Sequence, residues 1–406
     1  MTIQYGGLLV VALAAFVAPL IARLVPRRLV PPVVLEVVAG IVVGPQVLGL
    51  VRAQGAAEVL YLLGLGFLLF LAGQDVRPER FRGPTFRLAG TAFLISAVLA
   101  VPVAFGLHAI APGADVRLLA LCLVASTLGV LVPVLRDAEE ITTEFGQLMV
   151  VAGSVGEFGS LLLLTILFSA QPESTLVQVI YVLVMGVSAL VLALILKWLW
   201  RTPAMARVFA DSDDDTTQLR VRGAFVVLLL FTSLAHQFGV DALLGAFIAG
   251  MVVGISDGDE RPNQERYWGK LRAIGYGFLV PVFFVMTGVQ FNVRALFSHA
   301  SSLILVPLLV LAIGVVRGGP ALLYRRKLGS KPAAAAGLLQ ATTLTFPVVV
   351  AALGSSLGLL SPASAAALIG ASLLSVLLFP AAALSLRPWT RAPDPEPEPD
   401  EHVAKL

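Results

Sequence analysis

Apolar residues in this chain recur in runs of about 20, separated by short polar breaks. Thirteen such runs can be marked, at residues 5–24, 31–50, 56–73, 85–110, 115–136, 145–170, 175–200, 221–238, 240–256, 271–290, 299–324, 332–358 and 362–387. A run of that length spans the roughly 30 Å hydrocarbon layer as a helix. Inside a bilayer every backbone polar group must be paired within the protein, so only helices and closed barrels cross it. Composition points the same way. The chain is 58% hydrophobic and only 13% charged, against about 25% charged residues in soluble domains. The expectation is an all-α integral membrane protein of about 13 transmembrane helices. The first run lacks a basic leader and reads as a span, not as a cleavable signal. The one cysteine, Cys122, lies in a span and reads as a packing residue.

Charge orients the bundle. With the N-terminus outside, the alternate loops assigned to the cytoplasm hold 24 of the 28 Lys and Arg. The outer loops hold only Arg52, Arg117 and Arg294, and Arg317 alone is left within a span. Such a bias places the N-terminus outside and the C-terminus in the cytoplasm of a cell-membrane protein. It also accounts for the basic pI, so no nucleic-acid partner is expected. The acidic run around Asp211–Asp215 and the cluster Asp137, Glu139, Glu140 and Glu144 read as solvated cytoplasmic connections. Residues 388–406, rich in proline and acid, read as a disordered cytoplasmic tail.

The chain also repeats itself. Ala39-Gly40-Ile41-Val42-Val43-Gly44 in the second span returns as Ala249-Gly250-Met251-Val252-Val253-Gly254 in the ninth. Phe70-Leu71-Ala72-Gly73 in the third returns as Val285-Met286-Thr287-Gly288 in the tenth. Ser126-Thr127-Leu128 in the fifth returns as Thr342-Thr343-Leu344 in the twelfth. The three motifs keep their order at nearly one offset, a shift of seven helices. An odd shift reverses direction across the membrane, so the halves form an inverted repeat, the architecture of many secondary transporters.

The fifth and twelfth spans carry small and hydroxyl residues at matching places, with Pro133 and Pro347 beyond. Proline removes a backbone donor and clashes with the preceding turn, so both helices are expected to be interrupted. Matched interruptions in two halves are the best sequence pointer to a transport site. Between these spans, in the sixth, stands Glu157, alone in an apolar stretch. A carboxylate at that depth costs about 2.5–3.5 kcal/mol on insertion scales. It is tolerated facing a protein interior or a watery cavity, where it binds a cation or a proton.

These motifs together resemble the monovalent cation:proton antiporter superfamily, in the branch of bacterial Na+/H+ antiporters and glutathione-gated potassium efflux systems. The resembling stretches are residues 31–50, 67–75, 126–135, 243–254 and 281–288, in family order. The resemblance implies an inverted repeat with two crossed, unwound helices, assembled as a homodimer. It implies a transmembrane domain over 1–387, with core helices at about 56–170 and 271–387 and scaffold helices at about 5–50 and 175–256. The acidic pair of the family's sixth span reads Gly156-Glu157 here, so one carboxylate remains. On this reading Glu157, Thr127, Ser126, Ser154 and Thr343 bind the cation or proton. Glu157 and Thr127 are the first ligands of the metal ion, and Arg317 is a structural counter-ion, the position near Met286 offering no lysine. Glu36, Asp75, His108 and His236 read as helix-end, scaffold or interfacial residues.

The expected function is secondary antiport of protons against Na+ or K+, electroneutral, with no cofactor beyond the transported ions. The nucleotide-binding regulatory domain of the potassium-efflux branch has no counterpart in the sequence. Two rivals stand beside antiport: a non-transporting sensor or partner subunit on the same fold, and an organic-anion symporter. No nucleophile–base pair, metal-ligand cluster or glycine-rich phosphate loop argues for an enzyme.

Overall fold

The structure, a computed structural model, describes residues 5–24, 31–74, 83–168, 175–202, 218–238, 242–257, 264–298 and 300–389. Asp75, the Asp211–Asp215 run and the tail beyond Trp389 lie outside these residues. Ten helical segments are long and apolar enough to cross a membrane. Three shorter apolar helices, Pro32–Val43, Leu183–Trp198 and Ala242–Ser256, fall on the second, seventh and ninth apolar runs. The spans keep their ordinal names below.

Two spans are interrupted. The fifth is Val116–Val124 followed by Leu128–Asp137, and the twelfth is Ser330–Gln340 followed by Thr345–Ser356. Two others widen into a π turn, at Gly275–Leu279 in the tenth and Gly314–Gly318 in the eleventh. Each widened turn ends two residues before a proline, Pro281 or Pro320. A proline in a helix loses its bond to the carbonyl four residues back and its ring collides with that carbonyl. A π turn gives that carbonyl room, and such turns recur at functional sites.

The repeated glycines carry the inverted symmetry into packing. A Cβ on Gly40 of the second span would overlap the Val285 carbonyl of the tenth, and one on Gly288 would overlap the Val37 carbonyl. In the other half, a Cβ on Gly250 of the ninth span would overlap the Phe70 carbonyl of the third, and one on Gly73 the Phe247 carbonyl. These four contacts are one reciprocal pair made twice, since each residue maps onto its counterpart by the repeat offset. Close backbone approach through small residues is how helices associate where lipid removes the hydrophobic drive.

Packing divides the spans into two groups. The second, third, ninth and tenth pack on one another with the first and eighth. The fourth, fifth, sixth, eleventh, twelfth and thirteenth form the other group. The seventh touches the sixth and ninth and so bridges the two. The grouping differs from the sequence expectation at two helices, the third and tenth spans, which the sequence assigns to the core. The glycine contacts draw them to their repeat partners instead. The chain also stays packed beyond residue 387. Trp389 is fully buried, its ring tilted against Phe145 at 4.9 Å between ring centroids, with its indole N–H donated to the Ala383 carbonyl at 2.9 Å.

Candidate functional site

The site is built where the two interrupted helices meet the sixth span. That span is Glu144–Leu167, started by Thr143, whose hydroxyl accepts from the Gly146 amide at 3.1 Å. Glu157 lies in its middle, 5% exposed. The carboxylate accepts a hydrogen bond from the backbone N–H of Leu128 at 3.2 Å. Leu128 is the first residue of the second half of the fifth span. The break thus presents a helix N-terminus to the carboxylate, where free amides and the helix dipole favour negative charge.

The second break is tied to the first. The Leu344 amide, at the start of the second half of the twelfth span, donates to the Thr127 hydroxyl at 3.1 Å. Leu128 and Leu344 are repeat equivalents, so one matched amide holds Glu157 and the other holds the opposite break. Next to it, Ser375 of the thirteenth span accepts from the Thr343 amide at 3.2 Å, and its one hydroxyl proton is within reach of the Thr343 and Ser372 carbonyls, each at 2.8 Å. Pro347, four residues on from Thr343, has no N–H to offer that residue's carbonyl, so the serine reaches a group the proline leaves open.

Several buried hydroxyls around the breaks have no hydrogen-bond partner. They are Ser126 Oγ, Ser160 Oγ and Thr343 Oγ1. Buried polar groups are rarely left so in folded proteins, and hydroxyl and carboxylate oxygens are the ligand types that suit a hard cation. Among the described residues no group of three or more His, Cys, Asp or Glu gathers anywhere. Multivalent-metal chemistry therefore has no acidic cage among them.

Arg317 enters from the eleventh span, inside the widened turn. Gly318 and Gly337 let the eleventh and twelfth spans touch backbone to backbone; a Cβ on Gly337 would come 2.7 Å from the Gly318 carbonyl oxygen. The Arg317 guanidinium lies over Gly156: a Cβ there would come 2.5 Å from Nη2 and 2.9 Å from the Ser126 Cβ. Its Nε and Nη2 make no hydrogen bond, and the ring of Phe93 sits 6.0 Å away. The missing second acid of the sixth span therefore has a structural counterpart. The space a side chain at 156 would take is filled by a cation from another helix.

The sequence-expected residues do not all converge. Glu157, Ser126 and Thr127 come together at the first break, and Thr343 lies at the second, bonded through its backbone to Ser375. Ser154 turns its hydroxyl back to the Val150 carbonyl at 2.8 Å. Glu36 is buried on the second span, in the other packing group. Ser160, Ser375 and Phe93 were missed by the sequence reading. Only Ser160 carried a signal, as the hydroxyl three residues beyond Glu157 on the same helix.

An inverted-repeat helical bundle with two crossed, interrupted helices around a single buried carboxylate defines a secondary transporter fold. The chain belongs to the transmembrane sodium/hydrogen exchanger family, whose model matches residues 12–386. It is 26% identical over 390 residues to the putative Na(+)/H(+) antiporter YjbQ of Bacillus subtilis, covering 92% of this chain and 62% of that protein. It is 23% identical over 372 residues to the probable Na(+)/H(+) antiporter 3 of Methanocaldococcus jannaschii, covering 89% of this chain and 92% of that one. Among solved structures, the sodium proton antiporter MjNhaP1 of M. jannaschii superposes with a TM-score of 0.63 at 17% identity, over 93% of this chain and 96% of that one. That likeness concerns the fold.

Proposed function

We propose that the protein exchanges protons for Na+ or K+ across a cell membrane, one for one, at Glu157. The observation that carries this reading is the Glu157 carboxylate, buried at a helix break and bonded to the Leu128 amide. A buried carboxylate is disfavoured in its charged form, so the site is stable holding either a proton or a metal ion. Facing one side it takes a proton. Facing the other it releases the proton and takes a cation, held by Glu157, Thr127 and the unpartnered hydroxyls of Ser126 and Thr343. Without a bound ion the buried oxygen ligands are left unsatisfied, which opposes movement of the empty site and couples the two fluxes. One carboxylate neutralised by one monovalent ion in either state moves no net charge. Arg317 supplies a fixed positive charge beside the site and serves as its counter-ion. The N-terminus is outside, the C-terminus cytoplasmic, and the working unit is a homodimer. The function is transport and not enzymatic turnover.

The test is cation-driven proton flux in proteoliposomes, run with Na+ and K+ and with the membrane potential clamped or free. Wild-type protein should exchange at a rate insensitive to the clamp. Glu157→Gln should lower exchange at least 100-fold while the protein still melts cooperatively. Exchange at wild-type rate in that variant would refute the assignment, and a rate that follows the potential would refute one-for-one exchange alone.

A further inference from the structure

A second site, away from the breaks, opens on the membrane side of the bundle. It is a cleft of about 150 Å³ between the sixth, seventh and ninth spans, lined by Phe158, Leu162, Gly186, Leu190, Met251 and Ile255 among others. The cleft lies on the seam between the two packing groups, with the seventh span as its outer wall. Gly186 makes the opening: a side chain added there meets nothing within 4 Å. The lining is apolar, so water gains no partners in it.

The seventh span shows what enters. Gly186, Leu190, Leu194 and Lys197 are spaced by four, four and three residues, which puts them on one stripe of the helix. Gly186, Leu190 and Leu194 are exposed along that stripe, and Lys197 is half-buried at its end. Trp198, beside it, is 68% exposed, the usual behaviour of a tryptophan at the membrane surface. At about 1.5 Å per residue, Leu190 lies about 10 Å and Gly186 about 16 Å deeper than Lys197. That is the depth of one leaflet, half of the roughly 30 Å hydrocarbon layer. An acyl chain whose headgroup rests at Lys197 would therefore reach the cleft with its distal half. A lysine at the end of an apolar stripe keeps its stem on apolar surface and its charge at the interface, and that charge selects an anionic headgroup.

We infer that this cleft is a binding site for one acyl chain of an anionic phospholipid, with the lipid phosphate at Lys197. The lipid then sits against Phe158, the neighbour of Glu157 in the chain, and fills the seam between the two groups of helices.

The test is native mass spectrometry of the full-length protein extracted from vesicles of equal phosphatidylglycerol and phosphatidylcholine. Wild type should retain one phospholipid per chain, with phosphatidylglycerol favoured about tenfold. Gly186→Leu should lose it, and Lys197→Gln should keep a lipid without headgroup preference. A cooperatively melting Gly186→Leu protein that retains phosphatidylglycerol as wild type does would overturn the site. Lys197→Gln changes a residue at the end of the span and folds whatever the first variant does. Unchanged headgroup selectivity in it would overturn the lipid's assignment to Lys197. Neither outcome bears on Glu157, whose test is flux.

Discussion

Gly156 shows how much one absent side chain decides. Its hydrogen faces the Arg317 guanidinium and the Ser126 Cβ, both too close for a methyl group. The arginine has little freedom to retreat, being fully buried and set in a widened turn. Gly156→Ala should therefore destabilise the protein by about 1–3 kcal/mol, as overpacked cores do, despite the gain in helix propensity. Gly90→Ala is the control, because a Cβ at Gly90 meets nothing within 4 Å. Thermal melting in one detergent compares the two: Gly156→Ala should melt lower and Gly90→Ala no lower than wild type. Equal melting would show that Arg317 is not held where it lies. The same geometry sets an order for restoring an acid at 156. Gly156→Asp alone should fail to fold well, since the new carboxylate must displace the guanidinium that could neutralise it.

The interrupted helices are the elements on which the site depends, and they are tied by few bonds. Thr127 accepts the Leu344 amide, and this bond joins the two breaks directly. Thr127→Val keeps the shape and leaves that buried amide without its acceptor, at a cost of about 1–3 kcal/mol. Thr127→Ser keeps the acceptor and should recover most of the loss. Melting temperature and exchange rate should fall together in the valine variant, and a valine variant matching serine in both would deny the cross-tie. Much of this was legible in sequence, because proline, glycine and hydroxyl residues dictate backbone breaks locally. The positions of both breaks and the isolation of Glu157 followed from those residues. The hydroxyl partners did not. Serine and threonine in helices commonly bond their own i−4 carbonyl, and Ser154 does so while Ser160 does not; sequence alone carries no mark of the difference. Ser375 was invisible for another reason, being recruited by the Thr343 carbonyl, 32 residues earlier in the chain, which Pro347 leaves without its helical donor. Nor did the glycine motifs disclose which helices they join. They announced close approach, and only the fold shows the second span meeting the tenth and the third meeting the ninth.

At the scale of the whole molecule, two groups of helices meet along a narrow seam, and exchange requires that the site face each side in turn. The two groups share little direct contact, while each is knit internally by close backbone approach. Rigid-body movement of one group against the other is then the motion with the fewest bonds to break. One aromatic pair crosses the seam: Phe158 stacks on Phe247 of the ninth span, with ring centroids 5.7 Å apart. Linking these positions should stop the motion. In a Cys122→Ala background, Phe158→Cys with Phe247→Cys, joined by a short membrane-permeable thiol cross-linker, should lose exchange and regain it on reduction. The control joins two helices of one group. Tyr61 and Phe283 stack at 5.3 Å between the third and tenth spans, so Tyr61→Cys with Phe283→Cys should exchange equally well linked or unlinked. Each pair is compared with its own unlinked protein, which removes the effect of losing the rings themselves. Full exchange by the linked Phe158–Phe247 pair would show that the seam does not open during the cycle. Loss of exchange in the linked control would show that the third and tenth spans move apart, and would assign them to the mobile body, as the sequence expectation does.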